Sequence, residues 1–400
     1  MPMRFTAICS TFALLLATTP LAAQSLKPNE VLSSMAVRAV AAPNPVAGSD
    51  GRTHLAYELF SSNVSDFFLT IDRVDLVDPG GKTVASLAGP ALAAMMTVYH
   101  GSGATLDPGG NALIFLDAAF SGAIPPKLTA HITLTRQATG ADGKPGPMPS
   151  NLPIPATFSF DTATVTPGQQ TAVVVAPPLR GSNWLASNGC CDTKTPHRGA
   201  VMAINGELLI AQRFAIDWVQ LAANNRLFNG PVNALASYAY FGTPVHAVAD
   251  GTVVNLYDSA AEQVPGAPAK GITPANIGGN MIVIDIGGGK FAFFAHLQPG
   301  SLKVKLGDKV KTGDVIALLG NTGNSDGPHL HFHVMDGPSP LDSNGLPYVF
   351  TRFTGRGVMN DASGDALWNL GTAPQIDRSK LTGVQTNRLP MNNQIVDFGE

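Results

Sequence analysis

Apolar positions between residues 26 and about 175 fall in short runs of β type. "THLAYELFSS", "FFLTIDRVDLVD" and "NALIFLDAAF" are alternating or continuous, and "LTAHITLTR" at 128–136 alternates. Turn chemistry separates them: "AGSDG" at 47–51, "DPGGK" at 78–82 and "DPGG" at 107–110. Short strands at this spacing predict a β-sandwich-like domain over 24–175. Within it, "PALAAMMTVYH" at 90–100 predicts a short helix, and "TGADGKPGPMPSNLPIP" at 139–155 an exposed loop. The second half repeats strand patterns at 246–257, 280–287, 290–297, 314–320 and 329–336, punctuated by glycines such as Gly251, Gly287, Gly313 and Gly320. That reads as a compact antiparallel β-core within 176–355. The tail from 356 to 400 is polar and weakly patterned, an extension packed on the domain or trailing from it. The fold class is therefore all-β.

Composition narrows the picture. A length of 400 residues suggests two or three domains. Hydrophobic residues make up 44% and charged residues 13%, which excludes a mainly disordered chain. A net charge of −3 provides no basic footprint for nucleic acid. At the N-terminus, one charge in Met1 to Arg4 precedes an apolar run from Phe5 to Ala17, a proline at Pro20 and the small residues Ala22 and Ala23. This predicts a signal peptide over 1–23, cut after Ala23, and export to a periplasmic or extracellular location. No later apolar stretch reaches spanning length, so no membrane span is expected after signal removal. Of three cysteines, Cys9 leaves with the signal. Cys190 and Cys191 read first as a loop pair of modest structural role. A strained disulfide and a thiolate metal site are the other options.

Chemistry concentrates in the second half. His54, His100 and His131 are scattered among β runs and read as structural. Six of nine histidines lie between 197 and 333. "HLHFH" places His329, His331 and His333 at i, i+2 and i+4, one face of a strand. Neighbouring imidazoles on one face can converge on a metal or a reaction centre, and neutral imidazole suits zinc. The glycines at 287–289 read as a hairpin turn, not a phosphate loop. "GDKVKTGDVIALLG" looks like a carrier-domain turn and strand, but Lys309 and Lys311 lack the methionine-flanked setting. "NTGNSDG" at 321–327 reads as a turn in which Asn324 and Asp326 are the groups available to substrate.

Taken together, "FAIDW" at 214–218, "FGTPVHAVADGTVV" at 241–254, "GGNMIVIDIGGGKFAFFAHL" at 278–297 and "VKLGDKVKTGDVIALLGNTGNSDGPHLHFHV" at 304–334 resemble the lysostaphin-type, LytM-like zinc endopeptidases that cut peptidoglycan cross-bridges. The resemblance covers roughly 210–336 and implies a barrel-sandwich-type β-core. It implies that Asp217 and His331 are zinc ligands and that His296 and His329 are catalytic. The family's first ligand, a histidine four residues before the aspartate, is Arg213 here. A guanidinium has no lone pair for a metal. His197 ranks first as the replacement ligand, then His333, then His246, while Arg213 is assigned to substrate orientation or to a pair with Asp217. The implied function is an exported, zinc-dependent metalloendopeptidase acting on a peptidoglycan peptide or a protein substrate. The alternatives are a catalytically degenerate binding or regulatory protein of the cell envelope, and a metal-carrying protein without turnover. The N-terminal domain binds partner, wall or substrate, or covers the site.

Overall fold

A computed structural model describes residues 30–152 and 154–399. The signal peptide expected at 1–23 lies outside the described residues. The N-terminal half runs β1 (Met35–Ala39), β2 (Thr53–Asn63), β3 (Phe68–Val77), β4 (Thr83–Ala88), helix α1 (Gly89–Ala94), β5 (Met96–Val98), β6 (Asn111–Phe120), β7 (Leu128–Thr139) and β8 (Thr157–Val165). One sheet has the order β1-β2-β6-β5, and in the other β7 lies between β3 and β8, with β4 beside β3. Their inner faces share one core, in which Leu55, Tyr57, Ile71, Ile114, Ile132 and Leu134 are buried. Alternation along β7 is nearly perfect, as its sequence pattern predicts. The helix expected at 90–100 starts at Gly89, with Pro90 in its first turn, but stops at Ala94. Met96 to Val98 are drawn into β5, pairing antiparallel with Ala112 to Ile114. Tertiary pairing there overrides a weak local preference.

The second half continues with β9 (Gly181–Ser187), helix α2 (Pro196–Gly199), β10 (Ile216–Gln220), β11 (Gly251–Tyr257), β12 (Asn280–Asp285), β13 (Phe291–Leu297), β14 (Leu330–Met335), β15 (Phe353–Met359), α3 (Gly364–Leu370), β16 (Ile376–Gln385) and β17 (Gln394–Phe398). These strands form one sheet in the order β11-β12-β13-β14-β10-β9-β17-β15-β16. The segment 356–400 thus does more than pack on the domain: β17 inserts between β9 and β15. Its weak pattern has a physical cause, since β16 is a mostly exposed edge strand with no hydrophobic face to alternate. The glycines at 287–289 do turn the β12–β13 hairpin, closed by Ile286 N–H donating to the Lys290 carbonyl at 3.0 Å.

Two local features place the chemistry. First, β2 is buried on both faces. Leu55, Tyr57 and Leu59 point into the sandwich core, whereas Ala56 joins the core of the second half. By the period-two rule His54 and Glu58 share the face of Ala56, and both are fully buried. His54 lies 2.8 Å from Asp117 Oδ2 and 3.2 Å from Asp50. Second, β13 contains a bulge. Asn280 pairs with Leu297 but Ile282 pairs with Phe294, so β13 spends three residues where β12 spends two. His296 takes up the extra residue at φ +62°. Strict alternation would turn His296 toward Phe294 and the main core; the bulge turns it to the face of Phe293 and Ala295 instead.

Burial alone would lower the His54 pKa, but hydrogen bonds to Asp117 and Asp50 outweigh it and raise it to about 9. The stabilisation is therefore fully present below pH 6.5, the unfolded value, and is lost as pH rises through 9. It amounts to about 3 kcal/mol at most. Urea midpoints at pH 6 and pH 9.5 should drop further for the natural protein than for His54→Gln. At the bulge, His296→Val should be less stable than His296→Asn by about 1–3 kcal/mol, because a β-branched side chain tolerates positive φ poorly. Equal urea midpoints for the two variants would contradict that backbone account.

Candidate metal and catalytic site

The central strand is β14. Its neighbours put Asp217 of β10 and Ala295 of β13 directly across from His331, on either side. His333, two residues on, shares the face of His331, and His329 sits just before the strand begins. All three line one cavity of about 620 Å³ with Asp217, His197 and His296. Met202, Ile277, Phe293, Pro340 and Leu341 give it apolar walls, and Asn324 and Asp326 stand at its polar side.

His197 reaches this cavity from α2, a single turn capped by Thr195, whose Oγ1 accepts from Arg198 N–H at 3.4 Å. Its Nδ1–H donates to the carbonyls of Asn188 (2.9 Å) and Ala215 (3.0 Å). That network assigns the proton to Nδ1 and leaves Nε2 facing Asp217 Oδ2 at 3.1 Å. His331 Nδ1 lies 2.9 Å from Asp217 Oδ1. Two imidazole nitrogens and a carboxylate oxygen thus lie within 4.8 Å of one another. Two ligands at about 2.0–2.1 Å from one tetrahedral zinc would be about 3.3 Å apart. Both the donor types and the spacing suit zinc, and a cation between His197 Nε2 and Asp217 would satisfy two lone-pair groups that otherwise face each other.

The remaining histidines have distinct settings. His296 Nδ1–H donates to the Thr322 carbonyl at 2.7 Å, and His329 Nδ1–H to the Gly327 carbonyl at 2.8 Å. Both therefore present Nε2 to the cavity, and His329 Nε2 lies 3.4 Å from Asp217 Oδ1. Their rings are 4.5 Å apart, centre to centre. The Thr322 carbonyl is held by close backbone packing: at Gly279 (φ +63°) a Cβ would collide with the Thr322 carbonyl carbon and oxygen. His333 does not face Asp217. Its Nδ1 is 2.9 Å from His331 Nε2, so it backs that ring from the far side. His246 lies outside the cavity lining and donates from Nδ1 to the Gly313 carbonyl at 2.9 Å.

Arg213 takes a place different from either role foreseen for it. It is buried, and its Nη2 lies 2.8 Å from Glu58 Oε2 on β2. It neither lines the cavity nor pairs with Asp217. The reason is the second buried face of β2, which brings an unanticipated carboxylate within reach. Asn188 is a further residue that sequence reasoning passed over: at φ +57° it donates from Nδ2 to Asp217 Oδ2 at 2.8 Å. The Asn-Gly turn at 188–189 was its one local signal. Cys190 and Cys191 are joined by a disulfide in the same loop.

The electrostatics follow from burial. For Asp217 burial works against ionisation, but His197 and His329 outweigh it and hold the carboxyl well below its usual range. Burial, reinforced by His329 and His331, pushes His296 well below the ordinary imidazole value. Burial also lowers His331 to about 4, despite its bond to Asp217. His329 moves the other way: burial opposes its charge, but Asp217 prevails and raises it.

Residues 233–343 match the model of peptidase family M23. That segment holds His296, His329 and His331 but not His197 or Asp217. The chain is 34% identical over 106 residues to an uncharacterized metalloprotease of Buchnera aphidicola, covering 26% of this chain and 23% of that protein. It is 30% identical over 122 residues to the glycyl-glycine endopeptidase ALE-1 of Staphylococcus capitis, covering 30% and 29%. It is 34% identical over 102 residues to the peptidoglycan DD-endopeptidase ShyA of Vibrio cholerae, covering 26% and 20%. The chain spans less than a third of the length of these curated relatives. The solved catalytic domain of lysostaphin from Staphylococcus simulans is 23% identical, with 41% of this chain and 88% of that one aligned at a TM-score of 0.22. Set beside the histidine strand and the ordered motifs around it, the family match identifies residues 233–343 as a segment of peptidase family M23, of the lysostaphin and LytM-like type.

Proposed function

We propose that this protein is an exported zinc-dependent endopeptidase that hydrolyses peptide bonds in peptidoglycan stems or cross-bridges. The observation that carries the reading is the convergence of His197, Asp217 and His331 beside two further histidines whose Nε2 atoms face the same cavity. His197, Asp217 and His331 would hold the metal as the three protein ligands a catalytic zinc site uses. Bound there, zinc would polarise the scissile carbonyl and acidify the attacking water. His333 orients His331, and Asn188 orients Asp217.

The two catalytic histidines divide the proton work. His296 is kept neutral by burial, and its Nδ1 proton is committed to Thr322, so its Nε2 lone pair is free to take the water's proton. His329 likewise commits its Nδ1 proton, to Gly327, so its Nε2 faces the cavity as the group that would serve the developing oxyanion or the leaving amine. The apolar walls formed by Phe293, Pro340 and Leu341 limit water around the substrate. Peptidoglycan as substrate is supported by the endopeptidases among the relatives. Export is supported by the charged, apolar and small-residue order of residues 1–23.

The purified protein from residue 24 should hold about one zinc per chain, lost in Asp217→Ala, His331→Ala and His197→Ala. His296→Ala and His329→Ala should keep their zinc while peptide release from purified peptidoglycan falls about 10²–10⁴-fold. A protein that takes up no zinc on reconstitution, or an His296→Ala variant with undiminished release, would overturn the peptidase reading. Zinc without any peptide release would favour an envelope binding protein.

A further inference from the structure

The loop that carries His197 is anchored to the N-terminal sheet and not only to its own domain. Arg198, the next residue, is fully buried and donates from Nη1 to the Cys191 carbonyl and from Nη2 to the Leu116 carbonyl at 2.9 Å, on β6. The same Nη2 lies 3.6 Å from Glu58 Oε1, on β2. Lys194 Nζ donates to the Met96 carbonyl of β5 at 2.5 Å. Glu58 also accepts from Arg213 Nε at 2.9 Å and meets Arg213 Nη2 at 2.8 Å, four residues before Asp217. One carboxylate of the sandwich therefore holds both the neighbour of His197 and the lead-in to the Asp217 strand.

We infer that Glu58 is a positioning residue for the metal centre, so that the N-terminal sheet sets the affinity of a site whose ligands all lie elsewhere. This rests on the zinc reading of the site. Glu58 touches no ligand itself. It acts through two guanidiniums, by a hydrogen bond from Arg213 Nε and by an ion pair with Arg198, whose own fork is fixed by backbone carbonyls. Arg213 cannot act as a ligand, and its place in the fold gives it this other work: it ties the Asp217 segment to the carboxylate that also holds Arg198. His197 arrives on a single helical turn that lacks the length to hold itself in place. Partners that orient ligands commonly contribute 10–100-fold to metal affinity.

The test is zinc affinity of the metal-stripped full-length protein, measured by competition with a chromophoric chelator, beside its melting temperature. Glu58→Gln should bind zinc about 10–100-fold more weakly than the natural protein, and Glu58→Asp should recover part of the loss. In a Lys194→Met background, which keeps every ligand and a measurable zinc affinity, Glu58→Gln should add less than it costs the natural protein, because both changes release the loop that carries His197. A purely structural Glu58 would give additive losses, or a lower melting temperature with unchanged zinc affinity, and either result would overturn the inference. Should Glu58→Gln not fold, Lys194→Met loosens the same loop without orphaning a buried charge. It should weaken zinc about threefold or more, and unchanged affinity would count equally against the proposal. Failure of the natural protein to bind zinc would instead refute the zinc reading on which this one rests.

Discussion

Asp217 is a carboxylate withdrawn from water at the centre of a sheet, and the site is organised around meeting its charge. Its two oxygens face His197, His329, His331 and the amide of Asn188. An ionised carboxylate so deeply placed is tolerated only with partners in good geometry. Two of these partners are in turn held by backbone, His197 by the carbonyls of residues 188 and 215 and His329 by that of 327, while His331 is backed by His333. The ring orientations are therefore properties of the loops around them, and the loops become part of the chemistry.

Those loops are held by both halves of the chain. β2 presents one face to the sandwich core and the other to the sheet that bears the site. A strand buried on both sides cannot leave a charge unpaired, and Glu58 finds two arginines from the far side. Losing one partner of such a buried pair costs about 3–5 kcal/mol, so the contact between the halves is specific as well as apolar. His54, on the same face, meets Asp50 and Asp117 by the same logic.

Much of the architecture was legible in the chain. Alternation in 128–136 anticipates β7, and the glycine triplet anticipates the β12–β13 turn. Residues 96–98 misled because a strand partner at residues 112–114 outweighs local propensity. The tail misled because an exposed edge strand leaves no apolar stripe to read.

Within the site, the H-x-H-x-H spacing by itself placed His331 and His333 on one face, since the strand period is a local property of the backbone. Sequence order alone left the partner of Arg213 and the ranking of His197, His333 and His246 to inference. Tertiary structure decides which groups these residues meet, because each contact joins segments far apart in the chain. His197 meets a carboxylate twenty residues on, through a loop pinned to another sheet. Arg213 meets Glu58 across 155 positions. His296 reaches the cavity through a bulge visible only in the register of two strands. Local periodicity determines which way a side chain points along its own strand; only packing determines what it meets there.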